Sequence, residues 1–131
     1  MSEQPLSVML VDDDPYVGDL FRLVLEHYEW NVLVAPDAEQ AIEWLKHAAV
    51  DIVVLDLFLP GKDGYQTLAA MRKLPQAAAA LFVATTAYYT SDTQQEVMNY
   101  GFDGYIPKPF IATNLADDLR SLKQGGSAGQ S

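Results

Sequence analysis

Three charged marks stand at the ends of apolar runs: Asp12-Asp13-Asp14 after Val8-Met9-Leu10-Val11, Asp56 after Ile52-Val53-Val54-Leu55, and Lys108 shortly after Tyr105-Ile106. If these runs are neighbouring parallel strands of an open α/β sheet, all three marks gather at the carboxyl edge, where such sheets bind ligands. The result is a carboxylate nest facing one lysine. Two unit charges about 5 Å apart at an effective dielectric near 20 repel by roughly 3 kcal/mol, so the crowded carboxylates call for a compensating cation. An oxygen-only donor set, with no Cys in the chain and no His nearby, suits Mg²⁺ or Mn²⁺ better than zinc. The competing reading makes Asp12 to Asp14 a solvated loop that caps the helix after Pro15. The second acidic strand end at Asp56 argues against it for the group, while for Asp14 itself the cap is the better reading.

The elements that must position these residues alternate in period. Short apolar or β-branched runs near 6–11, 31–35, 51–55, 81–86 and 103–106 predict buried strands. Helical spacing lies between them. Val17, Phe21, Val24, Leu25 and Tyr28 predict a helix over 15–28 with Pro15 in its first turn. Asp37 with Gln40 reads as a capping box before Ala38, Ala41, Ile42 and Leu45. Asp63-Gly64 opens a third helix that brings in Leu68 and Met71 and ends before Pro75. Ser91 with Gln94 caps a fourth, closed by Gly101, and Leu115, Leu119 and Leu122 mark a fifth over about 110–124. Strict strand–helix alternation predicts a parallel sheet covered on both faces.

A chain of 131 residues is one domain of common size, with half its residues hydrophobic. The expected organisation is an extension over 1–5, one domain over 6–124, and a flexible tail or truncated linker over 125–131. The absence of cysteine removes disulfides, thiolate metal sites and a cysteine nucleophile. No apolar run approaches the ~18 residues of a membrane span and no secretory pattern opens the chain, so membrane insertion is not expected and a cytoplasmic location is. A formal charge of −10 with only 8 Lys plus Arg leaves no basic footprint for nucleic acid. His27 and His47 fall away from every strand end and read as surface residues.

Around Asp56 the chain reads Asp-Leu-Phe-Leu-Pro-Gly-Lys-Asp-Gly, and with Asp12-Asp13, Leu59-Pro60, Gly64, Thr86-Ala87, Tyr105 and Lys108-Pro109-Phe110 it resembles the receiver domain of two-component response regulators. The resemblance covers about residues 6–123. It implies a flavodoxin-like three-layer (βα)5 fold with a five-stranded parallel sheet in the order 2-1-3-4-5. It implies that Asp56 accepts a phosphoryl group from a sensor histidine kinase or histidine phosphotransfer protein, in a step that needs positioning and charge neutralisation above all. Mg²⁺, with Mn²⁺ as a substitute, would be held by Asp13, Asp56 and the backbone carbonyl of Phe58, with Asp12 acting mainly through water. Lys108 and Thr86 would bind phosphoryl oxygens.

The resemblance also implies that Ala87 leaves room for the donor, with ordinary packing as the equal alternative. It implies a cis Lys108–Pro109 bond and makes Tyr105 the aromatic that moves with Thr86 to alter the face of the fourth helix, fifth strand and fifth helix for a downstream protein or effector domain. Phe58 and Tyr88 would flank the approach of water and tune dephosphorylation. The chain would then be no turnover enzyme, showing autophosphorylation and slow autodephosphorylation only. Tyr88, Tyr89, Tyr100 and Phe102 stand where receivers often carry smaller or polar residues, which enlarges the aromatic content beside the output face.

Two alternatives come from other classes. Asp12-x-Asp14 after a strand also fits a haloacid dehalogenase-like phosphatase, but that leaves Asp56 without a role and puts the late acidic pair Asp117-Asp118 inside a helix. A degenerate receiver acting only as a protein-binding module is the other; against it, every phosphorylation residue is present.

Overall fold

The computed structural model describes residues 4–59 and 62–125. Five strands, β1 (Ser7–Val11), β2 (Asn31–Ala35), β3 (Ile52–Asp56), β4 (Leu81–Thr86) and β5 (Gly104–Pro107), alternate with five α-helices, α1 (Pro15–Glu26), α2 (Ala38–Leu45), α3 (Gly64–Arg72), α4 (Thr93–Asn99) and α5 (Ala112–Lys123). The strands form one sheet in the order β2-β1-β3-β4-β5, and every neighbouring pair is parallel. The flavodoxin-like (βα)5 architecture is therefore present. Pro60, residues 1–3 and the tail 126–131 lie outside the described residues.

Alternation along the strands sorts the core into two layers. Met9, Val11, Val53, Leu55, Phe82 and Ala84 face α2, α3 and α4, where they meet Ala41, Leu45, Leu68, Met71 and Val97. Val8, Leu10, Ile52, Val54 and Val83 face α1 and α5, against Phe21, Leu25, Leu115, Leu119 and Leu122. Central β3 is buried at every position, which is why its run is continuously apolar up to Asp56.

Local signals set most helix ends. Asp14 accepts a hydrogen bond from the Tyr16 N–H at 2.9 Å with Pro15 at the first position of α1, Asp37 accepts from Gln40 at 2.8 Å, and Asp63 accepts from Tyr65 at 2.7 Å. Gly101, at φ 107°, closes α4. Three expectations need correction. α4 begins at Thr93 with no side-chain cap, because Thr90 and Thr93 bond each other's turn (Thr90 N–H to Thr93 Oγ1, 2.8 Å) and displace the Ser91–Gln94 box. α1 stops at Glu26, and a left-handed Glu29 (φ 67°) turns Tyr28 to solvent rather than into the core. α5 begins at Ala112 rather than at 110. A short antiparallel ladder, Phe58–Leu59 with Lys62–Asp63, also follows β3.

Candidate functional site

The parallel register places the ends of β1, β3, β4 and β5 on one edge. The Asp12 N–H bonds the Ala35 carbonyl at 3.1 Å, the Leu57 N–H bonds Thr85 at 3.0 Å, and the Lys108 N–H bonds Thr86 at 3.0 Å, so each loop leaves its strand already tied to a neighbour. Gly64 holds the β3–α3 loop close. A Cβ there would lie 2.7 Å from Leu57 Cα, a distance no side chain tolerates.

Within this frame, carboxylate oxygens of Asp12, Asp13 and Asp56 all lie within 4.8 Å of one another. Asp12 and Asp56 are only 2% and 6% exposed, whereas Asp13 faces solvent. Asp12 Oδ1 accepts from the Asp14 N–H at 2.9 Å, and Asp56 Oδ1 accepts from the Phe58 N–H at 3.0 Å. Lys108 closes the group. Its Nζ donates to Asp56 Oδ2 at 3.0 Å and lies 2.6 Å from Asp12 Oδ2 as a close ion pair without hydrogen-bond angles. Burial pushes the Asp12 carboxyl above its ordinary value, with Lys108 and the Asp14 N–H pulling the other way. Burial alone would lower the Lys108 ammonium, but its contacts with Asp12 and Asp56 outweigh this and leave its pKa raised, so it stays charged at neutral pH.

The fourth strand end supplies Thr86, fully buried, whose Oγ1 accepts from the Tyr88 N–H at 2.9 Å and faces the Tyr88 carbonyl at 3.4 Å. Ala87 is exposed beside it. A cavity of about 950 Å³ opens between the α1 start and the β5–α5 loop, bounded in part by Tyr16, Leu20, Ala87, Tyr89, Lys108 and Phe110. The Lys108–Pro109 peptide is cis. Tyr105 packs against the α2/α3/α4 core layer. Its hydroxyl is buried without a hydrogen-bond partner among the described residues, and burial, with Tyr89 adding, pushes its pKa up. Phe58 and Tyr88 are 59% and 77% exposed and meet edge to face over the site, ring centroids 5.7 Å apart at 89°.

Asp12, Asp13, Asp56, Phe58, Thr86, Ala87, Tyr88 and Lys108 therefore lie at one sheet edge, whereas Tyr105 lies within β5, opposite Ala84. The spacing set one lysine facing the carboxylates but did not show that Lys108 bridges Asp12 and Asp56, nor that Phe58 and Tyr88 touch. Both join residues far apart in the chain. The oxygen-only donor set, with an exposed carboxylate that Lys108 does not contact, fits a hard divalent cation. Asp117 and Asp118 lie within α5, and His27 and His47 are exposed.

Residues 8–120 match the family described as response regulator receiver domain. The chain is 34% identical over 104 residues to an uncharacterised 14.6 kDa protein of Leptolyngbya boryana, with 79% of each covered. It is 34% identical over 115 residues to the transcriptional regulatory protein CpxR of Escherichia coli, covering 88% of this chain and 48% of that protein. The chain thus spans about half the length of the transcriptional regulators it matches. Among solved structures, it is similar to the receiver domain of a sensor histidine kinase of Pseudomonas aeruginosa with a magnesium ion coordinated in its active site cleft. That likeness has a TM-score of 0.79 at 22% identity, over 92% of this chain and 99% of the other.

Proposed function

The chain belongs to the receiver domains of two-component response regulators, and from this premise we propose that Asp56 is its phosphoacceptor and that the surrounding residues bind the arriving group. The observation that carries the reading is the Lys108 ammonium held 3.0 Å from Asp56 Oδ2, at the centre of a carboxylate group open to solvent on the Asp13 side. In the transfer, an Asp56 carboxylate oxygen forms the new P–O bond while the P–N bond to the donor imidazole breaks. The electron pair of that bond leaves with the imidazole.

Asp13, Asp56 and the Phe58 carbonyl would hold Mg²⁺, with Mn²⁺ as a substitute and Asp12 acting through water. When bound, the ion neutralises charge on the phosphoryl oxygens. Lys108, held as a cation by Asp12 and Asp56 before transfer, turns from Asp56 Oδ2 to a phosphoryl oxygen as the group arrives. Thr86 donates its hydroxyl to a second oxygen, and exposed Ala87 leaves the donor room. Phe58 and Tyr88 cover the approach of water without offering a carboxylate or amide to orient it, so the acyl phosphate is long-lived. Thr86 and Tyr105 then shift together and alter the α4–β5–α5 face.

Receiver domains are signalling modules, and the same reading gives this one autophosphorylation and slow autodephosphorylation but no turnover of an external substrate. Acting in the cytoplasm, the domain receives the group from a sensor histidine kinase or histidine phosphotransfer protein, and a downstream protein or effector domain reads the changed face. No described helix is long and apolar enough to cross a membrane. The domain extends over 6–124. The phosphatase alternative loses its support because the carboxylate that joins Asp12 and Asp13 comes from β3, not from the Asp117–Asp118 pair.

Acetyl phosphate with Mg²⁺ tests the proposal through intact mass. The expected result is one added phosphoryl group, absent in Asp56→Asn. No adduct on the wild type, or rapid turnover of a phosphomonoester, would overturn it.

A further inference from the structure

The Thr86 hydroxyl is not free in this conformation. It accepts the Tyr88 N–H at 2.9 Å, and the Tyr88 carbonyl stands 3.4 Å away. The Tyr88 ring lies edge to face on Phe58, and the Phe58 N–H in turn donates to Asp56 Oδ1 at 3.0 Å. These contacts close a circuit from the acceptor carboxylate through two loops and back to the hydroxyl. Its weakest member is the ring pair, since both rings are largely exposed.

We propose that the Phe58–Tyr88 ring pair is a latch that positions Thr86, keeping its hydroxyl on the Tyr88 backbone and away from the phosphoryl-binding place until the rings part. The latch rests on the phosphoacceptor reading but is separate from any exclusion of water. Water exclusion concerns the life of the phosphorylated state, whereas the latch sets how readily the unphosphorylated protein visits the conformation that receives the group. Phe58 and Tyr88 act here through Thr86, and neither ring touches the reacting atoms for this purpose. The paired rings also bring the approach beside Phe58 under the same control, because opening the latch swings Tyr88 off the β3–α3 loop.

Edge-to-face aromatic pairs contribute enough to change an opening equilibrium by about two- to tenfold. Phe58→Ala removes one ring while retaining the backbone N–H and carbonyl at that position, and Tyr88→Phe keeps both rings. Amide hydrogen exchange in the unliganded protein reads the latch directly, because the Tyr88 N–H is the donor to Thr86. In Phe58→Ala the Tyr88 amide is expected to exchange about two- to tenfold faster, with β1 and β3 amides unchanged and Tyr88→Phe matching the wild type. Beryllofluoride with Mg²⁺ should bind Phe58→Ala more tightly by the same factor. Unchanged exchange at Tyr88 overturns the latch, and faster exchange with unchanged beryllofluoride affinity overturns its coupling to the site. A wild type that exchanges as expected but binds no beryllofluoride overturns the phosphoacceptor reading instead.

Discussion

Replacing Asp13 by Asn should stabilise the protein in chelator, and replacing Lys108 by Ala should do the reverse. The signs follow from charge placement. Asp12 and Asp56 are buried and share Lys108, so those residues together carry one net negative charge. Asp13 belongs to the same carboxylate group within 4.8 Å and has no contact with the lysine. A unit charge about 5 Å from a like charge costs roughly 3 kcal/mol at an effective dielectric of 20 and under 1 kcal/mol in bulk water. Because Asp13 faces solvent, about 1–2 kcal/mol is the reasonable value.

For a domain of this size that relief raises Tm by several degrees. Lys108→Ala instead strips both buried carboxylates of their partner, a loss of about 3 kcal/mol or more and a fall in Tm of about 10 °C. Mg²⁺ should separate the variants a second way. At ten times its Kd it adds about 1.4 kcal/mol to the wild type, and Asp13→Asn should lose most of that gain. Thermal scans in chelator and in Mg²⁺ check both halves. An Asp13→Asn protein less stable than wild type in chelator would refute the repulsion argument.

Other expectations address the switch, the lifetime and the loop. Beryllofluoride with Mg²⁺ should move the backbone NMR signals of Thr86 and Tyr105 together with those of 91–107, and Lys108→Ala should still bind metal yet transmit the shift poorly. Changes confined to the metal loop would count against a coupled switch. Phe58→Asn with Tyr88→Glu gives water two polar partners and should speed loss of the phosphoryl group from Asp56 about tenfold for each 1.4 kcal/mol of barrier removed. Equal decay in variant and wild type after the donor is withdrawn would reject control by this pair. Gly64→Ala forces a Cβ to within 2.7 Å of Leu57 Cα, so urea unfolding should show a loss of about 1–3 kcal/mol, with weaker Mg²⁺ binding as the Phe58 carbonyl is displaced. An unchanged midpoint would show that the loop yields at no cost.

The sheet was legible because burial on both faces demands unbroken apolar runs, and β3 runs apolar from Ile52 until the charge at Asp56 ends it. Helix starts were legible where one Asp had no rival, as at Asp37 and Asp63, and at Asp14 because Pro15 marks the first helical position after it. They were not at α4, where Thr90, Ser91, Asp92 and Thr93 all compete for the same orphan N–H groups and the pairing of Thr90 with Thr93 wins. The end of α1 had no glycine to mark it, since Glu29 takes the left-handed turn itself. Arg72 could not be foreseen at all. It reaches from α3 to the Gly101 carbonyl at 2.6 Å and to Asp103 at 3.1 Å while covering the Phe82 ring, a set of partners that only the folded chain brings together.

For the site, residue types were readable and their pairing was not. From spacing alone the carboxylates faced one lysine and called for a cation, and the phosphoryl-binding role of Lys108 came only from the family resemblance. The geometry divides that compensation. Lys108 offsets Asp12 and Asp56 from within the chain, and the exposed Asp13 is left over. Transfer turns the Asp56 carboxylate into an acyl phosphate of about −1.5 to −2, so the site gains up to roughly one further negative charge, which a single ammonium already committed to two carboxylates cannot balance. If Asp56 is the phosphoacceptor, the fixed lysine offsets the empty site but not the phosphorylated one, and transfer should require a divalent cation. Phosphorylation by acetyl phosphate should accordingly fail in chelator even with Lys108 in place.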